Sequence, residues 1–211
     1  TPEGFGTANS GQSIAATVIG KVITLTAPTI SLVTRNSYPF TIVLAAPAGP
    51  GGQPVELTVS TSDLVTVPAT VTVPEGDTSV KFNVETGLAT GTLTLTASAQ
   101  GFTGDSKALT VAARTFSLYS PLVGIDRTVA ARITLDQPAP SGGATFALSV
   151  ANPSVATVSP VNLTIPAGET IGDFELTGGL TVGLTTLTAD GTGSGYISKT
   201  LNITATNRLI D

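Results

Sequence analysis

Val71-Thr-Val-Pro-Glu-Gly-Asp-Thr-Ser-Val-Lys-Phe-Asn-Val84 decides the fold. Valine and threonine alternate up to Val73, Pro74-Glu75-Gly76 interrupts, and apolar residues then alternate with Lys81 and Asn83 as far as Val84. A period of two is the pattern of a strand with one buried and one wet face. In the interruption, Pro74 presets φ for a turn and Gly76 can take the positive φ that closes it. The stretch therefore reads strand, turn, strand, with Phe82 expected at the centre of a core. Outward from it, Val55-Glu-Leu-Thr-Val59, Leu93-Thr-Leu-Thr-Ala97 and Leu109-Thr-Val111 alternate in the same way, punctuated by Pro, Gly, Asn and Asp. No window carries a useful 3.6-residue apolar period, so the chain is expected to be all-β with almost no helix.

The same pattern occurs twice. Leu44-Ala-Ala-Pro-Ala-Gly-Pro-Gly-Gly52 returns as Leu135-Asp-Gln-Pro-Ala-Pro-Ser-Gly-Gly143, and Leu64-Val-Thr-Val67 as Val155-Ala-Thr-Val158. Val71-Thr-Val-Pro-Glu-Gly76 returns as Leu163-Thr-Ile-Pro-Ala-Gly168, and Phe82 as Phe174. Leu95-Thr-Ala97 matches Leu187-Thr-Ala189, and Lys107-Ala-Leu-Thr-Val111 matches Lys199-Thr-Leu-Asn-Ile203. The order is preserved at a spacing of roughly 91–92 residues, the length of one β-sandwich domain.

The run from Pro47 to Phe102 and the run Asn152-Pro-Ser-Val-Ala-Thr-Val-Ser-Pro-Val-Asn-Leu-Thr-Ile-Pro-Ala-Gly-Glu-Thr-Ile-Gly-Asp-Phe174 resemble the immunoglobulin-like (Ig-like) repeats of bacterial surface proteins and adhesins. The resemblance implies two tandem Ig-like antiparallel β-sandwiches, and a structural module serving as stalk, coat or spacer. Expected boundaries are an N-terminal extension over residues 1–27, domain 1 over 28–113, domain 2 over 114–206 and a tail over 207–211.

Composition narrows the function. Charged residues are 11% of the chain, against about 25% in ordinary soluble domains. No apolar run approaches the ~18 residues of a membrane-spanning helix. The outer strand faces must therefore be covered by Thr, Ser, Ala and Gly, which suits close packing against neighbours or glycan cover. A net charge of −5 argues against nucleic acid, since no basic patch can displace counterions. The absence of methionine fits removal of a secretory signal, or a fragment of a longer polypeptide. The location expected is extracellular or at the cell surface.

The N-terminal extension has two readings. Lys21-Val-Ile-Thr-Leu-Thr-Ala27 matches the last strand of each repeat but has no domain in front of it. Residues 14–27 either form the first strand of domain 1 or are a strand donated to a neighbouring subunit. Ile14, Val18, Gly20, Val22, Ile23 and Leu25 are the candidate donor positions. Ile14–Val22 loosely resembles the donor strands of chaperone-assembled pili. Head-to-tail donation would give an open homopolymer. A third possibility is the remnant of a preceding domain in a long array.

Chemistry is sparse. With no His and no Cys, the usual general bases, thiol nucleophiles and zinc ligands are missing. Ser106-Lys107 and Ser198-Lys199 point to opposite strand faces and share no proton. Glu75 with Asp77, Asp173 with Glu175, and Glu169 read as rim charges rather than a glycosidase pair. Gly191-Thr-Gly-Ser-Gly195 lacks the following helix of a phosphate loop and reads as a hairpin tip equivalent to Gln100–Gly104. Tyr38, Tyr119 and Tyr196 form no visible sugar-binding platform. Asp105, Asp126 and Asp136 are candidates for inter-domain calcium, and otherwise no cofactor is expected. Asn162-Leu-Thr and Asn202-Ile-Thr are N-glycosylation sequons, while Asn152-Pro-Ser is disqualified by its proline. The chain is expected not to be an enzyme. It reads as a structural subunit of an extracellular filament, sheath or surface layer, or alternatively as a spacer or binding module of an adhesin.

Overall fold

The alternating segments form strands, each burying every second side chain. The computed structural model describes residues 20–207. Domain 1 contains β1 (Ile23–Thr26), β2 (Ser31–Val33), β3 (Ser37–Leu44), β4 (Gln53–Val59), β5 (Val65–Thr66), β6 (Thr70–Val73), β7 (Ser79–Thr86), β8 (Gly91–Ser98) and β9 (Asp105–Ala112). Domain 2 repeats them as β10 (Phe116–Tyr119), β11 (Val123–Gly124), β12 (Thr128–Leu135), β13 (Ala144–Val150), β14 (Ala156–Ser159), β15 (Asn162–Ile165), β16 (Ile171–Gly178), β17 (Gly183–Asp190) and β18 (Ser198–Thr206).

Each domain packs a four-stranded sheet on a five-stranded one. The orders β1-β3-β7-β5 and β2-β9-β8-β4-β6 recur as β10-β12-β16-β14 and β11-β18-β17-β13-β15. The chain is two tandem Ig-like β-sandwiches of identical topology. Val71–Val84 lies at the heart of this arrangement. β6 and β7 belong to different sheets, so the turn at Gly76 (φ 80°) carries the chain across the sandwich. Phe82, Val84 and Thr86 of β7 point inward.

The two cores are filled by different residues at matching positions. Phe40 faces Phe82 across β3 and β7, with ring centroids 6.0 Å apart. At the matching pair in domain 2, Ala131 faces Phe174. The volume lost at Ala131 is restored by Phe116 and Phe146, which stand where domain 1 has Ile23 and Val55 and pack at 4.9 Å. Phe82 and Phe174 are buried, but the fully enclosed rings are Phe40, Phe116, Phe146 and Tyr196. Each such ring contributes about 1.5–3 kcal/mol by burial.

Three sequence expectations change. First, β1 is the opening strand of domain 1. Ile23 and Leu25 pair with Leu44 and Ile42 of β3 and are 1% and 0% exposed. In this chain Ile23 and Leu25 therefore fill the core of their own domain, the first of the two readings of this segment. Val22 bridges Thr103 and accepts from Ala45 N–H at 3.2 Å, and Gly20 is exposed ahead of it. Ile14 and Val18 lie outside the described residues. Second, the boundary expected near residue 28 moves ahead of Val22, while domain 2 follows the short link Ala113-Arg114-Thr115. Third, the last strands align two residues differently from the sequence match. Leu95 pairs with Lys107, but its counterpart Leu187 pairs with Leu201. Leu109 and Val111 therefore correspond to Ile203 and Ala205, all four buried. A slip of two keeps every side chain on its proper face, so alternation alone does not reveal it.

Candidate functional site

The most elaborate polar arrangement lies where the two sandwiches meet. In each domain, the end nearer the N-terminus carries the loop after β3 or β12 and the hairpin tip before β9 or β18. The far end carries the turn before β3 or β12. At the junction, the far-end turn of domain 1, Thr34-Arg35, sits against the near end of domain 2.

Arg114, in the link, organises the contact. It is 6% exposed although it is charged. Its guanidinium donates from Nε to the Thr34 carbonyl at 2.9 Å, from Nη2 to the Arg35 carbonyl at 3.3 Å and from Nη1 to the Pro138 carbonyl at 3.2 Å. Its backbone N–H donates to the Gly195 carbonyl at 2.8 Å, and its own carbonyl accepts from Ile197 N–H at 3.0 Å. One side chain thus binds carbonyls of both domains while its main chain joins the edge of domain 2. A planar five-donor group suits that task better than a lysine would.

Two further contacts close the joint. The buried Thr34 hydroxyl donates to the Gly195 carbonyl at 2.5 Å. Arg35, held at φ 52°, reaches the carbonyls of Ser141 at 3.3 Å and Gly143 at 3.4 Å. Gly195 (φ 80°) ends a single 3-10 turn over Thr192–Ser194, and a Cβ there would stand 2.7 Å from the Thr34 hydroxyl oxygen. The longer domain 2 hairpin, read as a tip equivalent to Gln100–Gly104, forms half of the joint. Tyr196 next to it is 2% exposed, not a surface platform, and its ring packs on Phe146 at 5.2 Å. Its hydroxyl has no hydrogen-bond partner among the described residues. Burial raises its pKa above the ordinary tyrosine value, and the nearby Arg114 guanidinium opposes that rise.

The other candidates are scattered. Asp105 accepts from Leu25 N–H at 2.9 Å and Ser106 N–H at 2.8 Å and meets Lys107 at 3.4 Å. These bonds, led by that from Leu25, hold its carboxyl below the usual range. Asp136 accepts from the Thr115 hydroxyl at the joint, while Asp126 lies at the far end of domain 2. The three aspartates do not converge, and among the described residues no three His, Cys, Asp or Glu side chains come together. Asp173 pairs with Arg132 across β16 and β12 at 2.6 Å, which lowers its pKa. Glu75 accepts from Gly51 N–H at 3.1 Å. The Lys199 ammonium donates to the Phe116 carbonyl, and Ser198 lies on the opposite face. Asn162 and Asn202 are exposed on β15 and β18. No helix among the described residues is long and apolar enough to cross a membrane.

No protein-family model matches the chain, and no curated protein matches it. Solved structures with a similar course include the Yersinia pseudotuberculosis adhesin InvE, at 15% identity over 87% of this chain and 58% of that one, TM-score 0.37. The Escherichia coli adhesin FdeC gives 16% identity over 87% and 64%, TM-score 0.38. Domains 5–6 of the S-layer protein SbsC give 14% identity over 90% and 100%, TM-score 0.33. A β-glucuronidase of glycoside hydrolase family 2 gives 12% identity over 91% of this chain and 21% of that one, TM-score 0.37. The chain spans less than two thirds of InvE or FdeC. Likeness at this level carries no argument about what the chain does, and the functional reading rests on its own residues.

Proposed function

We propose that the chain is a structural unit of an extracellular surface assembly, a filament, sheath or layer, in which two sandwiches form one stiff rod. The observation that carries this reading is the joint at Arg114. Domains of one chain move against each other by default unless a large apolar contact holds them. This joint works instead through hydrogen bonds to a buried group. Here a buried guanidinium binds carbonyls on both sides, and a glycine-lined seat receives Thr34. Such a device makes sense where length and direction must be kept. The outer strand faces support the reading, because Thr94, Thr110, Thr145 and Thr200 cover them in place of the usual Lys and Glu. Asp105, Asp136, Asp173 and Glu75 are engaged at separate places in the fold rather than in one cleft, and we read the unit as non-catalytic.

A second reading, a spacer or binding module of an adhesin, is favoured by the exposed Leu122, Leu180, Val182 and Leu184 of domain 2. Electron microscopy of the native protein separates the two. Regular polymers with an axial repeat of the two-domain rod support the structural unit. Isolated rods that decorate a ligand-coated surface overturn it in favour of the adhesin module.

A further inference from the structure

The internal joint is a template, and the chain carries both halves of a second one. Lys21 precedes Ile23 as Arg114 precedes Phe116, and Ile23 and Phe116 hold matching registers opposite Leu44 and Leu135. The near-end loop of domain 1, Pro47–Gly52, matches Pro138–Gly143, down to paired positive φ angles at Gly51 and Gly52 and at Gly142 and Gly143. The far-end turn of domain 2, Ile125-Asp126, matches Thr34-Arg35, with φ 52° at both Asp126 and Arg35.

The chemistry changes on both halves together. Where Thr34 donates to the Gly195 carbonyl, domain 2 presents Ile125, which has no polar side-chain atom. The near end of domain 1 offers a depression of about 300 Å³ lined by Lys21, Ala45, Pro47, Ala48, Gln53 and Phe102. Where the cation Arg35 meets carbonyls, domain 2 presents the exposed carboxylate of Asp126, and the position of Arg114 holds Lys21. An apolar side chain takes the place of the hydroxyl, and an anion facing a cation takes the place of a cation facing carbonyls.

A third observation sets the two far ends apart. Val123 and Gly183 both stand beside Ala205, so Leu122 and Leu184 flank Thr204 on the outer face. They are 58% and 65% exposed, and Val182 just beyond is 54% exposed. The matching positions of domain 1 are Ser31, Thr92 and Thr90. Domain 1 exposes only Ile30 and Leu88 near its own far-end turn, so the apolar surround is larger on domain 2.

We infer that the far end of domain 2 docks onto the near end of domain 1 of a second copy of this chain. Ile125 enters the depression and Asp126 pairs with Lys21, repeating the internal joint. The inference rests on the reading of the chain as an assembling structural unit and names the surfaces that assemble. The contact is heterologous, so it propagates into an open filament rather than closing on itself.

The full chain has no cysteine, which makes the test direct. Lys21→Cys and Asp126→Cys variants are mixed under mild oxidation. The inference predicts a disulfide heterodimer at least tenfold in excess of either homodimer, and a ladder of multimers from the double variant. Charge exchange checks it independently. Lys21→Glu weakens association at least tenfold by sedimentation, and adding Asp126→Arg restores it. Arginine is the residue domain 1 itself holds at the equivalent backbone conformation. Homodimers as abundant as heterodimers, or a charge exchange without rescue, overturn the inference. A chain that polymerises with neither effect keeps the structural reading but not these surfaces. A chain that stays monomeric at all concentrations, or engages a different protein through Leu122 and Leu184, overturns both.

Discussion

Replacing Arg114 by alanine removes three guanidinium hydrogen bonds, two of which cross from domain 2 to domain 1. Charge-assisted bonds of this kind are worth about 1.5–3 kcal/mol each, and the 3.3 Å bond to the Arg35 carbonyl belongs at the low end. The two crossing bonds together sum to roughly 4 kcal/mol gross. Relief of the desolvation borne by a guanidinium 6% exposed offsets part of this, leaving about 2 kcal/mol. That is ~30-fold in the balance between docked and undocked domains. Calorimetry of the wild type should show the domains unfolding together. In Arg114→Ala the transition should split, with the first component falling by about 10 °C. Arg114→Lys should fall between, because one ammonium cannot span carbonyls in three directions. A melting profile of Arg114→Ala that overlays the wild type would refute the reasoning, since the guanidinium would then be a bystander.

Gly195→Ala should cost about 1–3 kcal/mol and loosen the joint, because φ is +80° and the added Cβ would meet the Thr34 hydroxyl at 2.7 Å. Gly193→Ala, on the same turn with nothing within 4 Å, should be near neutral in the same urea titration. Leu25→Ala should destabilise domain 1 of the isolated chain by about 2–5 kcal/mol, as expected of a fully buried core leucine. An unchanged urea midpoint would mean that β1 does not belong to its own domain. Asp105→Asn should cost about 1 kcal/mol near neutral pH. The folded carboxyl is depressed, so its contribution is present above the unfolded value of about 3.9 and lost as pH falls through the lower folded value. The gap between variant and wild type should therefore be constant above about pH 5 and close in strongly acidic solution; a gap unchanged at low pH would contradict this.

The fold was largely legible because alternation and internal repetition are properties of single residues and fixed spacings. Val71–Val84 and its copy named the strands and the turns between them. What escaped was the choice of partner strand. Lys21–Ala27 has the alternation of any edge strand, and only its pairing with β3, Ile23 opposite Leu44, shows that it completes its own domain. The two-residue difference in the last strands was hidden for a related reason, since an even slip leaves burial unchanged. The core exchange of Phe40 for Phe146 and Phe116 depends on contacts distant in sequence. The joint was hardest to see. Its acceptors are the main-chain carbonyls of Thr34, Arg35, Pro138 and Gly195, which every residue possesses. The one signal was an arginine between two apolar strands in a chain poor in charge.

The central claim is that the joint holds two sandwiches as one rod, and a distance measurement across it is the direct test. Thr94 and Thr200 are exposed on the five-stranded sheets of domains 1 and 2. Spin labels on cysteines introduced at those sites in the full chain report the separation by pulsed electron resonance. A single narrow distance that broadens on Arg114→Ala is the predicted result. A broad distribution already present in the wild type would contradict a stiff joint, and with it the proposal that stiffness is what this chain contributes.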